Sequence, residues 1–366
     1  MRIPQNVIEF AQDKIDVYKA FKDYFNHYRH DVEGNSKVVF DNTISFEEKE
    51  AKMNKVLFSE IGRVSGMGSL INELKPESIA SHPTYRWAFF QVINAMIDMV
   101  LPDTIIDKIG LFTDVRTGGY GDNFAFEVKP RDLFVVSKAG RGKRRSEVKK
   151  QFNGQVTITP EEHDITVQVE WYRVLAGKES LAEFVMKATK SIETQMVYDV
   201  YDAFATAMNA LDNAGSDALR ISGFTEATAI ALAQKVGSWN GGNKPIFVGT
   251  QLALSEIIPT DSNYRYMIDS DFVKLGYVRT FKGFDTMVLE QHADYKTEFA
   301  LKLDDTKIYV ISPSAQKLIK LCIEGSTIAI TDDYNSNANL TMATTLKKMW
   351  ATGVATNALA GEIELS

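Results

Sequence analysis

The stretch that decides the fold is residues 180–211, which read SLAEFVMKATKSIETQMVYDVYDAFATAMNAL. Ser180 and Glu183 have the spacing of a capping box, which marks the N-terminus of a helix. Beyond them, one apolar stripe continues at helical spacing while the charged residues stay off it. The stripe consists of Leu181, Phe184, Val185, Ala188, Ile192, Met196, Val200, Tyr201, Phe204, Met208 and Leu211. At 1.5 Å per residue the helix is roughly 45 Å long, so we expect it to span a whole domain.

The first hundred residues are predicted to be mostly helical, because their apolar residues recur at helical spacing. Three helices are expected: residues 6–28, a helix that begins after the cap Ser45 and is broken by Gly62, Gly66 and Gly68, and residues 84–100, which Pro102 should stop.

After these helices the pattern changes to strands. Phe124, Phe126 and Val128 alternate with less apolar residues, and residues 155–159 form a second short strand candidate. A long polar segment separates the two strands, so we predict a hairpin arm. A further alternating run, residues 165–171, predicts a half-buried strand that leads towards the long helix.

The second half of the chain alternates helix and strand and then ends in strands. The helical pattern lies at residues 226–236, followed by a helix after Thr250. Strands are predicted at residues 245–249, 277–281, 286–290, 307–312, 327–331, 340–349 and 361–365. The fold class that follows is α+β.

The composition is that of an ordinary folded protein. Of the 366 residues, 45% are apolar and 24% are charged, and the formal net charge is −7. Cys322 is the single cysteine, which excludes a disulfide framework and a multi-cysteine zinc site. No stretch has the apolar length of a membrane span or the pattern of a signal peptide. We therefore expect a soluble protein made in a cytoplasm.

Catalytic motifs are weak throughout. Residues 237–244 resemble a phosphate-binding loop but place Asn243 where the lysine is required, so we interpret them as a turn. Residues 117–121 are glycine-rich but lack dinucleotide-binding spacing, and we expect a flexible elbow there. The sequence predicts no enzyme, although an enzyme built on residues 225–312 stays open because catalytic residues meet in space rather than in sequence.

Candidate ligands for metals are equally sparse. His27 and His30 lie near the end of the first helix without further ligands, so two solvated histidines are the preferred interpretation. Asp269 and Asp271 resemble a fragment of a calcium loop without its glycine and terminal glutamate. Cys322 lies among apolar residues and is expected to be a small buried hydrophobe. We expect neither a cofactor nor a metal.

The most distinctive charge feature is a basic segment over residues 138–150. Its seven positive charges face one acidic residue, Glu147, so the segment carries +6 and the rest of the chain −13. It could be a solvated loop, a nucleic-acid contact or a tip that docks on an acidic surface of another copy. The absence of aromatic residues argues against nucleic acid, and the charge asymmetry favours self-association. The basic residues are Lys138, Arg141, Lys143, Arg144, Arg145, Lys149 and Lys150.

This order of elements resembles the Hong Kong 97-type capsid fold of tailed bacteriophages. The resemblance implies an N-terminal helical arm region and an extended-loop hairpin, then a peripheral domain built around a long spine helix, and an axial domain. The implied boundaries are 1–100 for the arm region, 101–128 for the start of the peripheral domain, 129–156 for the extended loop, 157–215 for the peripheral domain with the spine helix, 216–325 for the axial domain and 326–366 for the return strands.

The resemblance also implies a function. We expect a structural major capsid protein that assembles into hexamers and pentamers of an icosahedral phage head around double-stranded DNA, without sequence-specific DNA binding and without a membrane. Scaffolding, portal and decoration proteins are its implied partners, and the implied localisation is the virion after assembly in the host cytoplasm. The alternative is the shell protein of an encapsulin-like compartment. Lys143 and Lys149 are placed where some members of the family crosslink, an outcome we do not expect here.

Overall fold

The computed structural model describes most of the chain. The described residues are 15–33, 39–66, 82–110, 113–128, 153–170, 173–174, 176, 178–213, 219–257, 272, 274–291, 293, 300–312, 317–331, 341–356 and 358–365. Within them the protein is a mixed α+β fold, as expected, with three sheets, two of which pack on one long helix.

The helices begin where the sequence places capping residues. The side-chain oxygen of Ser45 accepts a hydrogen bond from the backbone N–H of Glu48 at 3.3 Å, and Ser180 accepts one from Glu183 at 3.3 Å. Both predicted helix starts are therefore confirmed. The helices are α1 (Ile15–Glu33), α2 (Phe46–Val64), α3 (Pro83–Ile109), α4 (Leu181–Asn213), α5 (Glu226–Trp239) and α6 (Gln251–Ser255).

The strands form a four-stranded, a six-stranded and a two-stranded sheet. They are β1 (Thr113–Gly118), β2 (Phe124–Val128), β3 (Gly154–Ile158), β4 (Glu161–Glu170), β5 (Arg220–Ser222), β6 (Ile246–Gly249), β7 (Thr280–Phe281), β8 (Phe284–Val288), β9 (Lys307–Ile311), β10 (Ile319–Thr331), β11 (Thr341–Val354) and β12 (Gly361–Glu364). The four-stranded sheet, here called the long sheet, has the order β1-β10-β11-β4. The six-stranded sheet, here called the short sheet, has the order β5-β12-β9-β6-β8-β7.

The first half of α4 packs on the inner face of the long sheet. Val185 and Met196 share one buried cluster with Leu346 and Trp350 of β11. The indole N–H of Trp350 also donates a hydrogen bond to a carboxylate oxygen of Asp199 on α4 at 2.7 Å. The predicted long helix is therefore continuous, and it packs on a sheet that contains the strand predicted at residues 340–349.

The second half of α4 packs on the short sheet. Phe204 meets the ring of Tyr309 on β9 edge to face, with the ring centroids 4.7 Å apart. Helices α5 and α6 cover the opposite face of the short sheet, where Leu232, Leu254 and Phe247 belong to a second buried cluster. Because α4 packs on both sheets, it fixes their positions relative to each other.

One predicted helix end is wrong. Helix α2 ends at Val64, among the glycines that were expected to break it, whereas α3 continues through Pro102 to Ile109. Proline removes one backbone donor and disfavours a helix interior. Val100, Leu101 and Ile105 are almost fully buried around it, and we infer that this burial outweighs the local cost of the proline.

The C-terminal strands also differ from the prediction. The strand expected at residues 327–331 begins at Ile319, because a bulge divides one long strand, β10, into two segments of different register. The strand expected at residues 361–365 exists as β12. It pairs with β9 and β5 of the short sheet, and not with β10 and β11, which come directly before it in the chain.

A buried ion pair holds the bulge of β10 against α3. The Asp98 carboxylate lies 2.6 Å from Nζ of Lys348 on β11, and both side chains are about 5% exposed or less. The same carboxylate accepts hydrogen bonds from the backbone N–H of Thr327 at 2.8 Å and from its hydroxyl at 2.6 Å. Lys348 also donates to the carbonyl oxygen of Gly325, which turns the chain at φ +61°. Helix α3 and two strands are thus tied at one point.

Replacing Lys348 with methionine should leave the Asp98 charge buried without its partner. We expect the Lys348→Met variant to lose about 3 kcal/mol or more of unfolding free energy, measured by urea denaturation. Lys347→Met is the matched control, because the neighbouring Lys347 pairs with Glu162 at the surface and should lose less than about 1 kcal/mol. Equal losses in the two variants would contradict the role assigned to the buried pair.

A proline introduced inside α4 should be far more damaging than the natural proline in α3. Ala188 is 3% exposed and lies two turns into the helix. Ala188→Pro should cost about 3 kcal/mol or more and abolish soluble assembly, whereas Ala188→Gly should cost about 1 kcal/mol. Circular dichroism and sedimentation would measure both effects, and normal assembly of the proline variant would refute the central role of α4.

Candidate assembly surfaces

The root of the predicted hairpin arm packs on the outer face of the long sheet. Strands β2 and β3 pair antiparallel, so Val128 lies opposite Gly154. The segment between these two residues therefore starts and ends at the same end of the two-stranded sheet. Phe126 packs with Cys322 of β10 in a small buried cluster. The guanidinium of Arg116 lies over the Phe126 ring, 4.0 Å from its centroid. The two strands predicted to flank the arm are confirmed.

The tip itself lies outside the described residues. Lys138, Arg141, Lys143, Arg144, Arg145, Lys149 and Lys150 all fall between 129 and 152. Their contact with a neighbouring subunit therefore stays a prediction. The described residues show only the place from which the segment starts and to which it returns.

Burial beneath the arm shifts two pKa values. Desolvation raises the pKa of the Cys322 thiol to about 12, and the side chain is fully buried, as expected for a small hydrophobe. Desolvation also lowers the pKa of Lys320, while the neighbouring Asp114 carboxylate, 3.4 Å away, opposes that shift. Neither group has the exposed, activated character of a nucleophile.

Beyond the arm root, the outer face of the long sheet is exposed. Ile328 and Ile330 on β10 are 46% and 50% exposed. The edge strand β4 adds Glu162 and Asp164, both exposed, and Lys347 of β11 pairs with Glu162. The pair raises the pKa of Lys347 through a hydrogen bond from its ammonium to the Glu162 carboxylate. This face combines apolar side chains with acidic ones and suits a basic, partly apolar partner.

A cleft of about 530 Å³ lies between α4 and the end of β11. On its wall the imidazole of His163 stacks on the indole of Trp350, with the centroids 3.7 Å apart and the planes at 9°. Nε2 of His163 is 3.7 Å from the Asp199 carboxylate, which also accepts a hydrogen bond from the amide of Gln195 at 2.8 Å. Glu161 and Asp202 complete a mainly acidic lining.

The sequence did not indicate this cleft. His163, Trp350 and Asp199 are far apart in the chain, and each occupies an ordinary position in a strand or helix pattern. The one usable signal was His163 at an inward-facing position of the alternating strand. The partners of that histidine follow only from the pairing of β4 with β11.

Several other sequence-level interpretations can be compared with the structure. We expected His27 to be solvated, and this prediction is wrong. The side chain is only 8% exposed, because it stacks on Phe40 with the ring centroids 4.4 Å apart. His30 is exposed, as expected. The glycines in residues 237–244 form the predicted turn, with positive φ at Gly241 and Gly242. Asp269 and Asp271 lie outside the described residues.

The expected elbow at residues 117–121 is a hydrogen-bonded turn. The Tyr120 hydroxyl donates to the carbonyl oxygen of Ser326 at 2.6 Å, and the Gly121 N–H donates to the Glu324 carboxylate at 2.6 Å. The bulge of β10 supplies both acceptors, so β1 and β2 are joined by a turn that is fixed to the sheet.

Comparison with known proteins shows which family these surfaces belong to. A family model described as "SPbeta prophage-derived putative capsid protein YonB" matches residues 25–364. The chain belongs to this capsid-protein family. The expectation of a structural protein of a bacteriophage capsid is thereby confirmed. No curated protein matches the chain.

Solved phage structures are similar to this capsid protein at low identity. "Capsid structure of the Cyanophage P-SCSP1u" has a TM-score of 0.46 at 12% identity and covers 70% of this chain and 86% of that chain. "Asymmetric unit of bacteriophage PhiM1 mature capsid" has a TM-score of 0.43 at 12% identity with the same coverages. A chain of Mycobacterium phage Adephagia has a TM-score of 0.41 at 14% identity and covers 70% and 89%. The family assignment rests on the sequence match.

Two other kinds of site are absent from the described part of this capsid protein. None of its described helices is both long and apolar enough to cross a membrane. The described histidine, cysteine, aspartate and glutamate side chains form no group of three that could hold a metal ion.

The burial of Cys322 under the arm root gives a chemical test of how the root is packed. With a pKa of about 12, the native thiol should hardly react with iodoacetamide at pH 8, whereas urea-unfolded protein should be labelled completely. A cysteine at the exposed position Leu301, introduced with Cys322→Ser, should react in the native state and serves as the control. Rapid native labelling of Cys322 would show that the arm root does not cover the sheet as described.

Proposed function

We propose that this capsid protein is the major capsid protein of a tailed bacteriophage, with a Hong Kong 97-type fold. In this proposal identical copies form hexamers and pentamers that close into an icosahedral shell around double-stranded DNA. The observation that carries the proposal is the arrangement of α4, which is packed on both sheets, beside a hairpin arm rooted on the outer face of one of them. A rigid centre and a projecting arm suit a subunit that must repeat in slightly different surroundings.

The two sheets supply the proposed domains. The long sheet with the first half of α4 is the proposed peripheral domain, and residues 129–156 are the proposed extended loop. The short sheet with α5 and α6 is the proposed axial domain. Since β12 joins the short sheet and β10 begins at Ile319, we assign residues 219–312 and 358–365 to the axial domain and residues 319–354 to the peripheral one.

The N-terminal helices belong to the rigid centre in this proposal. Phe21 and Phe25 of α1, Leu57 of α2 and Phe89 of α3 share the buried cluster that contains α4. Helices α1 to α3 thus bury apolar side chains against the long helix, and they do not form a free arm. The described part of residues 1–100 therefore serves the stability of the subunit.

The proposed role is structural, without catalysis and without sequence-specific binding of DNA. Scaffolding, portal and decoration proteins are the proposed partners, and the virion is the proposed location after assembly in the host cytoplasm. An encapsulin-like compartment is the less favoured alternative, because the matched family is that of a prophage-derived capsid protein. Electron microscopy of the purified protein tests the proposal. Closed icosahedral particles would support it, and a protein that stays monomeric under all assembly conditions would overturn it.

The basic tip is the proposed contact between neighbouring subunits. It carries +6 while the remainder of the chain carries −13, so the attraction between copies is mainly electrostatic. Single exposed ion pairs contribute only about 0.2–1 kcal/mol. A shell repeats the contact in every subunit, and the small contributions add over the particle.

Reversing charges at the tip should therefore reduce assembly without unfolding the subunit. We expect Arg141→Glu, Arg144→Glu and Arg145→Glu together to lower the particle yield at low salt, measured by sedimentation, with unchanged circular dichroism. Wild-type yield should also fall as salt rises, because the Debye length shrinks to about 8 Å at physiological ionic strength.

A control with the same change in net charge separates the tip from the overall charge. Lys19→Glu, Lys55→Glu and Lys274→Glu alter three exposed lysines elsewhere in the chain. If the control and the tip variant assemble equally well, the tip has no specific role and is a solvated charge run.

A further inference from the structure

One end of β11 has an unpaired edge. Its ladder with β4 stops at Trp350, opposite Glu161, whereas its ladder with β10 continues to Val354. Pro160 precedes Glu161 and has no N–H to extend the ladder, and beyond it the side chain of Ile158 lies against Gly353. Within the described part of the chain, residues 351–354 therefore pair with a strand on the β10 side only.

The hydrogen-bonding direction of this edge follows from its far end. The N–H of Ala355 donates to the carbonyl oxygen of Leu318, on the β10 side. Successive residues of a strand direct their backbone groups to opposite sides. The N–H and C=O groups of Thr352 and Val354 consequently point away from β10, and both residues line the 530 Å³ cleft beside α4. Val354 is 40% exposed.

The charge of the cleft is negative. Glu161, Asp199 and Asp202 contribute carboxylates, and Lys302 lies 2.9 Å from Asp202 and neutralises part of that charge. Asp199 is held by the side chains of Trp350 and Gln195, whereas Glu161 is exposed at the rim. An extended segment that pairs with the free edge would meet these carboxylates, so a basic segment fits better than a neutral one.

We propose that this cleft receives the basic segment 138–150 of a second copy of the chain, which adds as a short strand to the free edge of β11. The inference rests on the proposed function, and it gives the tip a defined binding site. Free strand edges are templates for pairing with another chain. Backbone hydrogen bonds to Thr352 and Val354 would set the register, and the acidic lining would select the sequence.

The sequence of the segment suits this role. Arg141, Lys143 and Arg145 are spaced by two residues, so in an extended conformation their side chains project from the same face. Gly140, Gly142 and Arg144 alternate with them, so the opposite face has no side chain at its first two positions and a basic one at the third. The segment carries +6, whereas the rest of the chain carries −13.

The first experiment measures binding of a fluorescent synthetic peptide of residues 138–150 to the full-length unassembled subunit by anisotropy. Val354→Pro removes an N–H that faces the cleft and leaves the ladder to β10 intact, and it should weaken binding roughly tenfold or more, equivalent to about 1.4 kcal/mol. Val354→Ala keeps the N–H and should bind like the parent. Equal binding by the proline and alanine variants would overturn strand addition.

The second experiment tests the charge of the cleft and does not depend on the proline variant folding. Glu161→Lys with Asp202→Lys should abolish peptide binding at low salt. The control, Glu47→Lys with Glu256→Lys, changes two exposed acidic residues elsewhere by the same charge and should bind the peptide normally. A peptide in which the basic residues are moved to consecutive positions should bind less tightly than the natural one.

The outcomes separate this site from the proposed function. Closed particles from the wild type, together with undiminished peptide binding by the cleft variants, would overturn the site and leave the shell function standing. Peptide binding that depends on the cleft, in a protein that never forms particles, would support the site and overturn the shell. Loss of both binding and particle yield in the cleft variants alone is the result expected here.

Discussion

The rest of the structure depends on the burial of one apolar stripe along α4. The stripe is longer than either sheet can cover, so two sheets share it, and Val185, Met196 and Phe204 belong to the same buried cluster. Because the helix is a single rigid element, the positions of the two sheets cannot change independently without exposing part of the stripe. Helices α1 to α3 extend this core, which explains why α3 tolerates Pro102 within it.

Polar groups at the edge of this core fix the register of β10, which apolar burial alone does not determine. The carboxylate of Asp98 gathers the ammonium of Lys348 and the backbone of Thr327, and so fixes where the register of β10 shifts. A buried carboxylate without these donors would carry a large desolvation penalty. The bulge in turn supplies the acceptors for the turn between β1 and β2. These polar contacts, together with the apolar packing of Phe126 on Cys322, therefore fix the root of the arm on the sheet.

A capsid subunit needs both rigid and adaptable contacts, and the charge distribution separates them. The buried interfaces of α4 are apolar and determine the shape of the subunit. In the proposed assembly, the acidic outer face of the long sheet, the acidic cleft and the basic tip attract one another electrostatically, and such attraction acts over several ångströms and tolerates small changes of angle. Such surfaces allow identical copies to associate in more than one relative orientation.

The sequence by itself determined the elements whose signals are local. Capping residues and periodicity placed α2, α4 and α5 and most strands, since these depend on neighbours three or four residues away for helices and two away for strands. Charge counting identified the basic segment. The sequence could not show that His27 is buried against Phe40, that β12 joins the short sheet, or that His163, Trp350 and Asp199 meet at one cleft. Those facts depend on contacts between residues far apart in the chain, and only the tertiary structure, through the pairing of β11 with β4 and β10, decided them.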